Sequence, residues 1–238
     1  MKHVGIVLAA GKGSRMKSDT PKQFLDIDGK PVLYYSLKTM EDSFLDEVIL
    51  VTGESLISYC REEIVDKYGF SKVTKIIAGG AERYLSVYQG LLACEEADYV
   101  YIHDGARPFI TKRIMEQAKV CVEEYQACAA GMPVKDTIKI TDENGFAVST
   151  PNRSLVWQVQ TPQVFAYNVV RDAYDALLAL PEMPVVTDDT MVVETMTKVP
   201  VKMFEASYKN IKITTPEDLD VAEVFVGHLE SNVEVSLL

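Results

Sequence analysis

From residue 4 to residue 132 the chain alternates short apolar runs with amphipathic stretches, and no other feature limits its fold as tightly. The first run, Val4 to Ala10, is seven residues bounded by Gly11, and it reads as a buried strand. Val48 to Thr52, Val73 to Ala78, Tyr99 to His103 and Ala127 to Met132 read as further strands. Helical patterns fill the gaps: Val32 to Met40 behind Pro31, Ser55 to Tyr68, Glu82 to Ala97 and Arg113 to Tyr125. Strands separated by helices imply an α/β fold with a mostly parallel sheet and right-handed crossovers. Ligands of such sheets lie beyond the carboxyl ends of the strands. The Gly11 loop, Gly79-Gly80 and Asp104-Gly105 all fall at those ends.

The rhythm changes at Asp136. Thr137 to Thr141 and Phe146 to Ser149 are short extended pieces around Asp142-Glu143-Asn144-Gly145, a strong turn signal. They predict a projecting hairpin, an arm over about residues 136–152. Beyond it the pattern predicts an extended Leu155 to Gln160, a helix over Tyr167 to Leu180 and a shorter helix over Thr187 to Thr195. A strand over Val199 to Phe204 and a last helix over Pro216 to His228 follow. The expectation is one domain, residues 1–230, with a patternless and fraying tail over 231–238.

Charge singles out the opening loop. The chain carries 24 basic and 35 acidic residues, a net charge of −11, yet the five cations between Lys2 and Lys22 face only Asp19. Lys12, Arg15 and Lys22 beside Gly11 and Gly13 suit a polyphosphate, since glycines bring backbone N–H groups against a ligand. Small side chains at Ala9 and Ala10 leave room for something flat. The loop is no Walker A motif, because five residues separate Gly5 from Gly11 and Gly13 follows Lys12. It is no dinucleotide fingerprint, because Met16 stands where the third glycine belongs. The acidic balance argues against a nucleic-acid partner. The absence of a long uncharged apolar stretch argues against a membrane span, and the cytoplasm is the expected location. Cys60, Cys94, Cys121 and Cys128 form no C-x-x-C pair and read as buried thiols. The three histidines, His3, His103 and His228, suggest no metal cluster with them.

Six segments in order carry a resemblance. They are Leu8 to Met16 continued through Thr20-Pro21-Lys22-Gln23-Phe24, Val100 to Phe109, Pro133 to Lys139, Trp157 to Gln163, Thr187-Asp188-Asp189 and Asn210 to Asp218. Together they resemble the 2-C-methyl-D-erythritol 4-phosphate cytidylyltransferases of non-mevalonate isoprenoid biosynthesis, over about residues 4–225. The resemblance implies a Rossmann-like fold, Mg²⁺ as cofactor, CTP and a polyol phosphate as substrates, and a homodimer embraced through the arm. The nearest rival is ribitol 5-phosphate cytidylyltransferase, whose members resemble H-D-[SA]-V-R-P. Here the sequence is His103-Asp104-Gly105-Ala106-Arg107-Pro108, and Trp157 and Asp189 also favour the erythritol family. A non-catalytic nucleotide sensor and a dinucleotide-dependent oxidoreductase are the rivals of other classes.

In the implied reaction a phosphate monoester attacks the α-phosphorus of CTP. The nucleophile is already an anion, so the scarcity of histidines suits it, and stabilising charge at phosphorus is the main task. The backbone of Ala9, Ala10, Gly11, Lys12 and Gly13 is expected around the nucleotide. The resemblance puts Arg15 and Lys22 on the α-phosphate and the departing pyrophosphate. It puts Gly80, Arg83 and Ser86 at base and ribose, and Asp104 and Gly105 beside the nucleotide; Asp104 ends its strand where a carboxylate can hold Mg²⁺ or a ligand hydroxyl. Arg107, Thr137, Arg153, Thr161 and Lys212 are implied around the methylerythritol phosphate, with Arg153 and Lys212 also catalytic. Ala81 replaces an acidic residue common in relatives. Thr187-Asp188-Asp189 reads most simply as a helix cap.

Overall fold

The computed structural model describes residues 1–11, 13, 16 and 20–235, with side chains to residue 227. Strand β1 (His3–Ala9) leads through the glycine loop and a single 3₁₀ turn over Lys22–Phe24. A small hairpin follows, β2 (Asp26–Ile27) and β3 (Lys30–Pro31), turned by Asp28 and Gly29, both at positive φ. Next come α1 (Val32–Glu41), β4 (Glu47–Thr52), α2 (Ile57–Tyr59) widening into π-helical turns over Cys60–Asp66, and β5 (Val73–Ala78). Then come α3 (Arg83–Ala93), β6 (Tyr99–Asp104), α4 (Lys112–Tyr125) and β7 (Ala127–Pro133). The arm is β8 (Ile140–Thr141) and β9 (Ala147–Ser149). The chain closes with β10 (Trp157–Ala166), α5 (Tyr167–Leu178), α6 (Asp189–Met196), β11 (Lys202–Glu205) and α7 (Pro216–Val235).

Seven strands form one sheet in the order β11-β7-β10-β6-β1-β4-β5. All neighbours are parallel except β10, which runs antiparallel to both β6 and β7. Strands β1, β4, β6 and β7 are buried on both faces, hence their nearly continuous apolar runs. Side-chain alternation divides β1 between two cores: Val7 packs with Leu33, Leu37 and Met115, and Val4 and Ile6 pack with Val87, Leu91 and Phe165. A third cluster, with Met16, Phe109, Ile213 and Val226, seats α7. All four cysteines are buried and unbridged. No helix among the described residues is long and apolar enough to cross a membrane.

Three expectations change. The strand expected to stop at Gln160 runs on to Ala166 as a central member of the sheet. Its ladder to β7 shifts register between Val159 and Gln163, which lets the chain carry Pro162, with a cis Thr161-Pro162 bond, through a position proline normally avoids. Helix α3 ends at Ala93 instead of Ala97, because Lys75 Nζ takes the Ala93 carbonyl at 2.7 Å, Lys2 Nζ takes that of Glu95 at 2.8 Å, and Glu96 has φ 54°. Helix α7 continues past His228 to Val235, through residues expected to belong to the tail.

Candidate active site

The sheet reverses its strand order at β1, with β4 on one side and β6 on the other, and this switch point is where open α/β sheets bind ligands. β1 ends here in Ala9, β4 in Thr52, β5 in Ala78 and β6 in Asp104. Buried Gln23 holds the mouth of the glycine loop, its Nε2 donating to the Ala9 carbonyl at 2.6 Å and to Gly11 at 3.3 Å. Gly13 sits at φ +65°, where an added Cβ would lie 3.3 Å from Lys22 Cγ. Glycine there keeps the left-handed turn and lets the Lys22 stem lie against the loop. Lys12 and Arg15, both expected at the phosphates, lie outside the described residues.

Across the mouth, Gly79 closes on Ala10 so tightly that a Cβ would lie 2.7 Å from that of Ala10 and 2.7 Å from Ser86 Oγ. Ser86, 4% exposed, uses its hydroxyl to accept from the Gly80 N–H at 3.1 Å and to donate to the Glu82 carbonyl. It shapes the Gly79-Gly80 turn from below.

Asp104 is the centre of the site. Three cations converge on its carboxylate: Lys212 Nζ at 2.7 Å, Arg83 Nε at 3.3 Å and Arg107 Nε at 3.7 Å. Burial opposes ionisation of Asp104, but Arg83, Lys212 and Arg107 overcome it and hold the carboxyl well below the usual range. The resemblance implies Arg83 at base and ribose. Within the chain its Nη1 and Nη2 make a two-pronged pair with Asp189 at 2.9 Å each, leaving Nε for Asp104. Burial works against its charge, and Asp189 and Asp104 together push its pKa up. Asp189 is fully buried, accepts from Tyr174 OH at 2.6 Å, and donates its N–H to Gln163 Oε1. The helix cap is Asp188, which accepts from Met191 N–H at 2.9 Å.

Behind Asp104 runs a second chain of contacts. The Asp104 N–H donates to Thr161 Oγ1 at 3.1 Å, the Thr161 hydroxyl donates to His103 Nδ1 at 2.9 Å, and His103 Nε2–H donates to the Arg107 carbonyl at 3.2 Å. These bonds fix the neutral tautomer, and burial pushes the imidazole down to about 4. Thr161 is 3% exposed, and its hydroxyl is engaged in this chain of contacts. Arg107 is mostly buried, with Nη1 on the Asn210 carbonyl at 2.8 Å. Thr137 and Arg153 stand apart on the exposed arm, Arg153 Nη1 donating to the Lys135 carbonyl at 2.9 Å. The structure thus brings Ala9, Gly11, Gly80, Asp104, Gly105, Arg107 and Lys212 to one edge. Asp189 and Gln23 are additions that sequence reasoning did not assign. Gln23 lies in a segment already singled out, and Asp189 follows the cap residue so closely that the cap hid it.

The donor set does not fit a divalent cation resident on Asp104. Both its oxygens face cations, and among the described residues no three His, Cys, Asp or Glu side chains come together.

The family model for 2-C-methyl-D-erythritol 4-phosphate cytidylyltransferase matches residues 3–228. The chain belongs to this family. A relative of that description from Lachnoclostridium phytofermentans is 48% identical over 94% of this chain and 96% of its own length. One from Clostridium botulinum strain Langeland is 50% identical over 94% and 97%. Among solved structures, the 4-diphosphocytidyl-2C-methyl-D-erythritol synthase of Anaerococcus prevotii superposes with a TM-score of 0.83 at 31% identity, covering 95% of this chain and 96% of that one. The Thermus thermophilus cytidylyltransferase superposes at 0.75 with 25% identity, covering 93% and 97%. Of the six motif segments, Val100–Phe109 and Asn210–Asp218 meet at Asp104, through Arg107 and Lys212.

Proposed function

We propose that the chain transfers CMP from CTP to 2-C-methyl-D-erythritol 4-phosphate, releasing pyrophosphate, and that the cations around Asp104 are the groups that receive the phosphates. Family membership carries the activity; the single structural observation that supports the site is Asp104 ringed by Arg83, Arg107 and Lys212 beside the glycine loop. A phosphate oxygen of the polyol attacks the α-phosphorus, a new P–O bond forms, and the bond to the β-phosphate bridging oxygen breaks. Pyrophosphate leaves with that electron pair, and no proton transfer is required. Lys22 and Arg15 stabilise charge on the α-phosphate and on the leaving group, and Lys212 neutralises the incoming phosphate. Asp104 serves as the anchor that aims Arg83, Arg107 and Lys212. Mg²⁺ enters with the triphosphate as part of the substrate, consistent with its preference for phosphate oxygens and water.

The arm is the basis for a homodimer. Ile140, Phe146 and Val148 are 50%, 72% and 61% exposed, an apolar face that an isolated hairpin cannot cover itself. A two-fold partner would cover it and bring Thr137 and Arg153 to the neighbouring cleft. The proposed location is the cytoplasm, in keeping with the unbridged thiols.

The test crosses the four ribonucleoside triphosphates with a panel of polyol phosphates, scored by pyrophosphate release. CTP with methylerythritol phosphate should dominate. Equal or faster turnover of ribitol 5-phosphate would move the chain to the rival activity, and UTP within about tenfold of CTP would remove strict cytosine selectivity.

A further inference from the structure

Lys212 reaches Asp104 from a segment, residues 206–215, that belongs to no strand or helix. Something else must therefore fix its position, and the contacts converge on Asn210, two residues earlier and 0% exposed. Asn210 Nδ2 donates to Gln160 Oε1 at 3.0 Å and to the Thr161 carbonyl at 2.9 Å. Gln160 Nε2 donates back to the Ser207 carbonyl at 2.9 Å, so one buried amide pair joins the loop to β10 at two points. The register shift of β10 between Val159 and Gln163 takes Gln160 and Thr161 out of the ladder to β7, which leaves the Thr161 carbonyl for Asn210. On its other side, the Asn210 carbonyl accepts from Arg107 Nη1 at 2.8 Å. Beyond Lys212, buried Ile213 donates its N–H to the Ala106 carbonyl at 2.8 Å.

We propose that Asn210 is a positioning residue of the transfer reaction: paired with Gln160, it holds the loop that delivers Lys212 to Asp104, and its carbonyl orients Arg107. This rests on Lys212 acting on the transferred phosphates. Both cations that Asn210 controls meet the same carboxylate, so a shift of the loop misaligns them together. Displacement by about 1 Å at a reacting centre costs on the order of a hundredfold in rate. A buried asparagine that serves only the fold would lower stability and would affect catalysis equally whether or not Lys212 is present.

The experiment is a kinetic double-mutant cycle of Asn210→Ala and Lys212→Ala, with thermal denaturation recorded for each variant. Alone, Asn210→Ala should lower kcat/KM by about tenfold to a hundredfold, carried mainly by kcat. In the Lys212→Ala background the same change should cost at least about threefold less, since only its effect through Arg107 remains. Equal factors in the two backgrounds overturn the positioning role while leaving the site reading intact. Full activity of Lys212→Ala alone overturns both. If Asn210→Ala does not fold at the assay temperature, Gln160→Met attacks the same pair from the strand side, and additivity with Lys212→Ala there is equally fatal.

Discussion

Replacing Asp189 by Asn isolates the Arg83 pair with the least change of shape. Asp189 is wholly buried, while the Arg83 side chain keeps 30% exposure. The carboxylate accepts two guanidinium bonds at 2.9 Å and the Tyr174 hydroxyl at 2.6 Å. Asn removes the charge and turns an NH₂ group toward one of these donors. Breaking a buried ion pair from one side costs about 3–5 kcal/mol. Water at the exposed part of Arg83 recovers some of that, so the expected loss is about 2–3 kcal/mol. For a chain of this size the loss corresponds to a fall in Tm of about 5–10 °C, read by circular dichroism. Arg83→Met in the same chain should return part of the loss, because it removes the charge left without its partner. A fall below about 2 °C, or a double variant as unstable as the two single losses added, would refute the account of Arg83 as a cation held by Asp189.

Three further outcomes follow from the same geometry. His103 has a folded pKa of about 4 against an ordinary 6.5, so between those values the unfolded chain binds a proton that the native state refuses. Stability should therefore fall as pH drops from 7 towards 4, by about 3 kcal/mol from this group, and urea titrations of His103→Asn should show a shallower acid limb. Gly79→Ala forces a methyl against Ala10 and Ser86 and should cost about 1–3 kcal/mol by urea unfolding; a cost under about 0.5 kcal/mol would show that the turn yields freely. Co-refolding Lys22→Ala with Arg153→Ala should restore partial activity if Arg153 serves the neighbouring subunit's site, and verified mixed dimers without activity would refute the shared site.

The parallel half of the sheet was legible because burial on both faces of its central strands writes nearly uninterrupted apolar runs, as in Val4 to Ala9 and Val48 to Thr52. The edge proposed to bind ligand was legible because glycines and Asp104 end those runs. What escaped was set by partners distant in sequence. The end of α3 depends on Lys75 and Lys2, which no local pattern announces. The second half of β10 was hidden by Pro162, a residue that argues against a central strand until the register shift is seen. The sequence placed Arg83 near the site, but its turn towards Asp189 depends on a residue 106 positions later. Lys12 and Arg15, the most suggestive cations of the opening loop, lie outside the described residues.

The arm leaves the sheet at Pro133 and returns at Trp157, and these two residues are direct partners in the β7–β10 ladder. The Val134 N–H bonds the Val156 carbonyl at 3.0 Å, closing the neck below the hairpin. Residues 134–156 are thus an excursion that starts and ends at one point of the sheet. Its length and sequence can change without shifting the register of any strand. Closing so long an excursion costs a lone chain about 1.5 kcal/mol more entropy than a four-residue turn would. With Phe146 and Val148 largely exposed, little inside the chain offsets that cost. A version with the arm cut back to a tight turn should gain stability as an isolated subunit, and the same graft point would accept a hairpin of different recognition chemistry with every strand register kept, at the loss of Thr137 and Arg153, which the arm carries.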